Sequence, residues 1–250
     1  MHFMTTKGDE KHHICSEKVR TRLYRPEAES GRTIALTNEQ IRHLKVLRTE
    51  KHHHVHVFDG KGHEYCATPS EKVRDAIEVG HYVKTATEPP ITITLATAAP
   101  KGNRMDTLVE KVSELGVKKL VPIIFARSVV EPGASKIERL QRIAIEACAQ
   151  SNRTIVPEIT APTAFTALLE KVREAKTALV CHKSGQALDK IAITNTSDVL
   201  VIIGPEGDFT PEELANLEKA GCKKVRLAPS TLRVETAAIT ALAQLASKHL

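Results

Sequence analysis

The chain has 250 residues, 41% of them hydrophobic but only 3% aromatic and none tryptophan, so its core is aliphatic and stacking on aromatic side chains is a minor resource. A formal charge of +6 with a pI near 9.0 leans toward an anionic partner without naming one. Five scattered cysteines (Cys15, Cys66, Cys148, Cys181, Cys222) contain no C-x-x-C pair, which excludes a cysteine zinc site; no apolar run approaches the roughly 20 residues of a bilayer span and no secretory core opens the chain, so a cytoplasmic protein off the membrane is expected.

In chain order, the first part reads as short strands with one helix. Thr37 and Gln40 have capping-box spacing ahead of Ile41, Leu44 and Leu47, which recur at helical intervals toward Arg48. Val55 and Val57, then Asp59-Gly60, then Tyr65 and Ala67 predict a hairpin, and the whole reads as a small β-rich barrel. Of 12 histidines only His182 and His249 follow this part, and Glu88-Pro89-Pro90 makes a plausible linker. The run His52-His53-His54-Val55-His56 places alternate imidazoles on one strand face; with no carboxylate or cysteine at ligand spacing, it is read as a solvated strand edge and no metal is expected.

From Ile91 the pattern becomes strand and helix in alternation, the mark of an α/β domain with a mainly parallel sheet. Ile91 to Ala98 predicts the opening strand. Met105, Leu108, Val109, Val112 and Leu115 form one apolar helical face that Gly116 can end, and Lys119 to Ile124 returns as a strand. Ser135 and Glu138 suggest a second capping box before Ile137, Leu140, Ile143, Ala144 and Ala147; Pro162 is expected to open a helix carrying Phe165, Leu168, Leu169 and Val172. Strands are predicted at Thr177 to Cys181, Val199 to Ile203 and Lys223 to Leu227, each followed by a loop of Gly, Pro or Ser, and a last helix bears Ala238, Ile239, Leu242 and Leu245.

Ligands of doubly wound sheets lie beyond the carboxyl ends of strands, so these three loops are where a site belongs. Gly204-Pro205-Glu206-Gly207-Asp208-Phe209 makes a tight turn into a helix specified by Thr210 as N-cap, Pro211 at the first helical position and Glu213 at the third. It matches neither the phosphate-loop nor the dinucleotide spacing, and by itself it is an ordinary strand-to-helix turn. Arg233 and Glu235 stand at the entrance of the last helix, where a carboxylate complements the helix dipole and an arginine can simply be solvated.

Taken together, Gly204-Pro205-Glu206-Gly207 upstream of Leu232-Arg233-Val234-Glu235-Thr236-Ala237 resembles the paired signature of the small-subunit ribosomal RNA (uracil-N3)-methyltransferases. The resemblance extends to Lys101-Gly102-Asn103-Arg104, Arg127-Ser128-Val129-Val130, Gln150-Ser151-Asn152-Arg153, His43 to Arg48 and Phe58-Asp59-Gly60, from about Arg22 to the C-terminus. Three positions depart from it: Asp208 stands where many relatives have a second glycine, Ala228 replaces a common glycine, and Ser230 falls where arginine is frequent.

The resemblance implies an α/β fold: an N-terminal extension (1–18), a PUA-like β-barrel RNA-binding domain (19–88) and a SPOUT methyltransferase domain (89–250) whose C-terminal segment threads a trefoil knot. It implies S-adenosyl-L-methionine as cofactor, held by Leu179, Val180, His182, Ile203, Gly204, Pro205, Glu206, Gly207, Leu227, Ala228, Thr231, Leu232 and Arg233, in a homodimer that methylates uridine N3 of 16S rRNA in the small ribosomal subunit. Arg233 is the expected catalytic cation, stabilising negative charge on the uracil, with Glu235 orienting it or assisting proton removal. Arg22, Arg25, Lys101, Arg104, Arg127, Arg139, Arg142 and Arg153 are the candidates for gripping RNA phosphates. The alternatives are a SPOUT enzyme acting on another RNA such as tRNA, and a catalytically silent RNA-binding assembly factor.

Overall fold

The short alternating runs at the start of the chain pair into a five-stranded sheet in a computed structural model that describes residues 21–46, 54–83, 91–193 and 198–247. Its elements are β1 (Arg22–Tyr24), β2 (Thr33–Ala35), α1 (Asn38–Val46), β3 (Val55–Phe58), β4 (Glu64–Pro69) and β5 (Ala76–Val83), with strand order β1-β3-β4-β5-β2. Only the β1–β3 pair is parallel. Leu23, Ile34, Val55, Val57, Ala67, Ile77 and Val79 form its core. The expected capping box is present: the Thr37 N–H donates to Gln40 Oε1 (3.1 Å) and the Gln40 N–H to Thr37 Oγ1 (3.2 Å). Leu47, Arg48, His52, His53, the Glu88-Pro89-Pro90 linker and the 1–18 extension lie outside the described residues.

The histidine run is corrected where it is described. β3 lies between β1 and β4, so His56 is not on an edge, and its Nδ1 sits 2.6 Å from Glu64 Oε1. Arg22 donates to both oxygens of Glu64, through Nε (3.0 Å) and Nη2 (2.7 Å), while its guanidinium lies over the Phe58 ring at 4.7 Å from the centroid. Burying a carboxylate is tolerable only with such partners. His54 faces Cys66 instead, at 3.0 Å from Nδ1 to Sγ.

The second part builds a seven-stranded sheet from β6 (Thr92–Thr97), α2 (Arg104–Glu114), β7 (Val117–Ile124), α3 (Ala134–Gln150), β8 (Glu158–Ile159), β9 (Thr163–Ala164), α4 (Phe165–Glu174), β10 (Thr177–Ala187), β11 (Asp198–Ile203), α5 (Pro211–Ala220), β12 (Lys223–Arg226) and α6 (Val234–Ser247). The order is β12-β10-β11-β6-β7-β8, with β9 also on β7, and every described pair is parallel. Both faces are covered, which is why its strands read as almost continuous apolar runs. Val199, Val201 and Ile203 of β11 pack with α2, α3 and α6, whereas Leu200 and Ile202 point the other way toward α4 and α5. By its contacts the chain divides into two compact units, one with Glu64–Val83 and the residues before Asp59, the other with Asp59–His63 and everything from Lys84. No described helix is long and apolar enough to cross a membrane.

Three local expectations change. Helix α3 starts at Ala134 with Gly133 as N-cap and no side-chain cap, because Ser135 already lies inside the first turn. Pro162 does not open a helix: Thr163 and Ala164 pair with Ile123 and Ile124 of β7, and α4 begins only at Phe165. Strand β10 runs past Cys181 to Ala187, so Val225 of β12 pairs first with Cys181 and again with Gln186. Gly185 makes that double pairing feasible, since a Cβ there would lie 2.5 Å from the Val225 backbone.

Burial works to raise the Glu64 carboxyl, but the hydrogen bonds from His56 and Arg22 and their charges outweigh it and hold the group below its ordinary value of 4.5. A depressed carboxylate contributes stability that is complete above the unfolded value and lost as pH falls through the folded one. The first unit should therefore weaken as pH drops below 4.5. Glu64→Gln should flatten that acid limb and lower stability at pH 7 by roughly 3 kcal/mol, because Arg22 is left buried without its counter-charge. Urea unfolding at pH 7 and in acid reads both effects; an unchanged midpoint in the variant would show that the Arg22–Glu64–His56 cluster contributes nothing.

Candidate active site at the ends of three parallel strands

Strands β12, β10 and β11 are neighbours and run parallel, so the loops that follow them leave the sheet at one edge. There they enclose a cavity of about 420 Å³, a size suited to a small organic ligand. Of the residues expected to hold a cofactor, His182, Ile203, Gly204, Pro205, Glu206, Leu227, Ala228, Thr231, Leu232 and Arg233 line it. Leu179 and Val180 do not; they are buried in β10, one on each face of the sheet. Gly207 is turned away, its carbonyl accepting a hydrogen bond from Arg127 Nη1 (2.7 Å).

The loop after β11 is held from several sides. The Thr210 hydroxyl accepts from the Glu213 N–H (3.1 Å), and Glu213 Oε2 accepts from the Thr210 N–H (2.8 Å), completing the capping box. The other oxygen of that buried carboxylate accepts from the Ala126 N–H (2.7 Å), so Glu213 also ties this loop to the segment after β7. Phe209 is buried edge-on against Phe125, with centroids 5.3 Å apart. Its ring explains Gly204: a Cβ at that position would meet it at 2.7 Å. Asp208 has φ +64, a left-handed conformation that aspartate tolerates better than most residues, so the turn survives without glycine.

Two polar pairs cross the cavity wall. Arg104, at the start of α2, reaches Glu206 at 2.8 Å. His182 Nε2 stands 3.6 Å from Asp208 Oδ2, and its Nδ1 lies 2.8 Å from the Ser184 hydroxyl and 3.2 Å from the Ser184 N–H. Cys181 also lines the cavity, and burial pushes its thiol up to about 12, so it remains protonated and unreactive near neutral pH. The loop after β12 is anchored by Gln244 Nε2, which donates to the Leu227 carbonyl (3.0 Å).

Of the expected catalytic pair, Arg233 is exposed on the cavity wall. Glu235 is not among the lining residues; it lies in the first turn of α6, and its Oε2 is buried with no hydrogen-bond partner among the described residues. The candidate RNA contacts separate by location. Arg22 is engaged by Glu64, Arg25 by Glu27 and Gln40, Arg127 by Gly207 and Phe209 carbonyls, and Arg139 by Asp106, while Lys101 and Arg142 are exposed and Arg153 is half-buried. Sequence reasoning gave no binding role to Lys183, Arg226 or Asp208, all of which line the cavity. Lys183 and Arg226 flank the predicted loops by a single residue, and extending each loop outward by one position would have found them.

The packing at Gly204 is directly testable. Gly204→Ala should displace the Phe209 ring and lower stability by about 1–3 kcal/mol, whereas Asp208→Gly, which relieves the left-handed aspartate, should hold or raise the urea midpoint. A Gly204→Ala variant as stable as the parent would mean that Phe209 repacks freely.

With this geometry in hand, comparisons with known proteins are specific. Residues 87–246 match the model of the RNA methyltransferase domain. The ribosomal RNA small subunit methyltransferase E of Synechocystis is 32% identical over 226 residues, covering 88% of this chain and 75% of that protein; that of Aquifex aeolicus is 32% identical, covering 87% and 96%. Among solved structures, the Neisseria gonorrhoeae ribosomal RNA small subunit methyltransferase E bound to S-adenosyl methionine superposes with a TM-score of 0.82 at 33% identity, covering 91% of this chain and 97% of that one. A Legionella pneumophila protein in complex with the same cofactor gives 0.81 at 33% identity, covering 92% and 98%. Similarity thus runs through both compact units and includes all three cavity loops, and the chain belongs to the RNA methyltransferase family.

Proposed function

We propose that the protein transfers a methyl group from S-adenosyl-L-methionine to N3 of a uridine in the 16S rRNA of the small ribosomal subunit. The observation that carries this reading is the cavity formed beside β10, β11 and β12 by the loops after β11 and β12, with Arg233 on its wall. The residues present fit the cofactor: a cleft of about 420 Å³ with apolar Ile203, Leu227 and Leu232 beside the Gly204-Pro205 turn and the polar Ser230 and Thr231. When bound, S-adenosylmethionine supplies an electrophilic methyl group on a sulfonium.

The chain's own residues supply the rest. Loops 203–207 and 227–233 orient the donor, so that the methyl carbon and uracil N3 meet in line. Arg233 stabilises the negative charge that develops on the uracil carbonyl oxygens as the N3 proton leaves. Glu235, in the first turn of α6 two residues after Arg233, is assigned to orient that arginine or assist loss of the proton. With the donor held by these loops, its methyl group would pass to uracil N3 and a neutral thioether would remain.

The same reading assigns 19–88 as a PUA-like β-barrel for RNA, after an extension at 1–18, and 89–250 as a SPOUT domain with a trefoil knot. The double pairing of Val225 with Cys181 and Gln186 supports such threading. It also assigns a cytoplasmic homodimer, with exposed Lys101 and Arg142 contributing to the grip on RNA.

The test is incubation with labelled S-adenosylmethionine and small subunits lacking the modification, followed by nucleoside analysis. The expected product is 3-methyluridine, with kcat reduced about 10²-fold or more in Arg233→Ala and a shifted pH profile in Glu235→Gln. Methylation of tRNA alone would replace the substrate, and RNA binding without cofactor binding would make the protein an assembly factor.

A further inference from the structure

The cavity carries more positive charge than its cofactor can use. Four permanent cations line it, Arg104, Lys183, Arg226 and Arg233, against two carboxylates, Glu206 and Asp208. Arg104 is engaged by Glu206 (2.8 Å), and Asp208 is directed at His182 (3.6 Å). Lys183, Arg226 and Arg233 are exposed and have no ion-pair partner among the described residues. S-adenosylmethionine is itself a net cation, with a sulfonium and an ammonium against one carboxylate, so a surplus of unpaired cations around it is electrostatically unfavourable unless an anion joins it. Arg233 already has a role at the uracil.

Lys183 and Arg226 line the same cavity from adjacent strands. Lys183 lies in the stretch of β10 between Cys181 and Gln186, both of which pair with Val225, and Arg226 is the residue of β12 that follows Val225. Gly185, in the same stretch, lets the β10 backbone approach that of Val225 closely. An arginine fork beside a lysine point charge is a donor set suited to the two free oxygens of a phosphodiester. Ordinary surface cations have no reason to converge on one cavity wall.

We propose that Lys183 and Arg226 form a phosphate clamp that seats the backbone of the target nucleotide at the mouth of the methyl-donor cavity. This rests on the reading of the protein as an RNA methyltransferase. The clamp is a positioning device: it fixes the nucleotide through its phosphate while Arg233 addresses the base.

The experiment uses the full-length protein, an unmodified small-subunit rRNA transcript and, separately, S-adenosylmethionine. Lys183→Gln and Arg226→Gln should each weaken transcript binding roughly tenfold. Each should also make the slope of log K against log salt shallower by about 0.7, the counterion-release signature of one lost phosphate contact on single-stranded RNA. Affinity for S-adenosylmethionine, measured by calorimetry, should be unchanged, and Lys183→Arg and Arg226→Lys should restore most of the transcript affinity. Weakened cofactor binding with an unaltered salt slope would overturn the clamp in favour of a contact to the cofactor's carboxylate. Unchanged binding of both ligands would reduce the two residues to solvated surface. Failure of the unmutated protein to bind S-adenosylmethionine would instead sink the methyltransferase reading, an outcome the calorimetry separates from loss of the clamp alone.

Discussion

No side chain fits at Gly185. A Cβ there would lie 2.5 Å from the backbone of Val225, and this close approach accompanies the register shift by which Val225 of β12 pairs with both Cys181 and Gln186 of β10. Cys181, His182 and Lys183 of β10 line the cavity with Arg226 and Leu227 at the end of β12, while the loop after β11, on the other side of β10, contributes Gly204, Pro205, Glu206 and Asp208. Three segments widely separated in sequence thereby form one cavity.

Rigidity at that cavity comes from small, fully satisfied contacts rather than from bulk. Glu213 uses both oxygens on backbone N–H groups, Arg127 donates to the Gly207 carbonyl, and Phe209 fills the space that Gly204 leaves. A buried carboxylate satisfied on both oxygens fixes the turn at little desolvation penalty. The aspartate at φ +64 keeps the same turn and adds a charge facing His182. Preorganisation of this kind matters for a reaction whose catalysis is largely placement and electrostatics.

The charge on the cavity wall separates two tasks. Carboxylates at Glu206 and Asp208 are matched to neighbouring Arg104 and His182, so they hold loops, while the cations without such partners remain available to an anionic substrate. Two of the arginines expected to grip RNA also make contacts within the protein: Arg22 neutralises a buried glutamate, and Arg127 donates to the Gly207 carbonyl. A sequence displays an arginine's charge but not its partner, and the partner decides whether that charge is available.

Much of the framework was legible in the residues. Period-two and period-3.6 patterns placed most of the principal strands and helices, and Thr210, Pro211 and Glu213 specified the start of α5 that was found, because a cap is a local interaction among residues three apart. Local rules failed where a distant pairing competed with them: Pro162 gave way to a strand on β7, and His56 became a partner of Glu64 instead of an edge residue. By itself the sequence determined the alternating α/β pattern, the loops that bear the glycines and the paired signature around Arg233. The tertiary structure alone decided which residues share a cavity, that Lys183 and Arg226 are among them, and that Glu235 is not, since these depend on strand register and on contacts across tens of residues that no local spacing encodes.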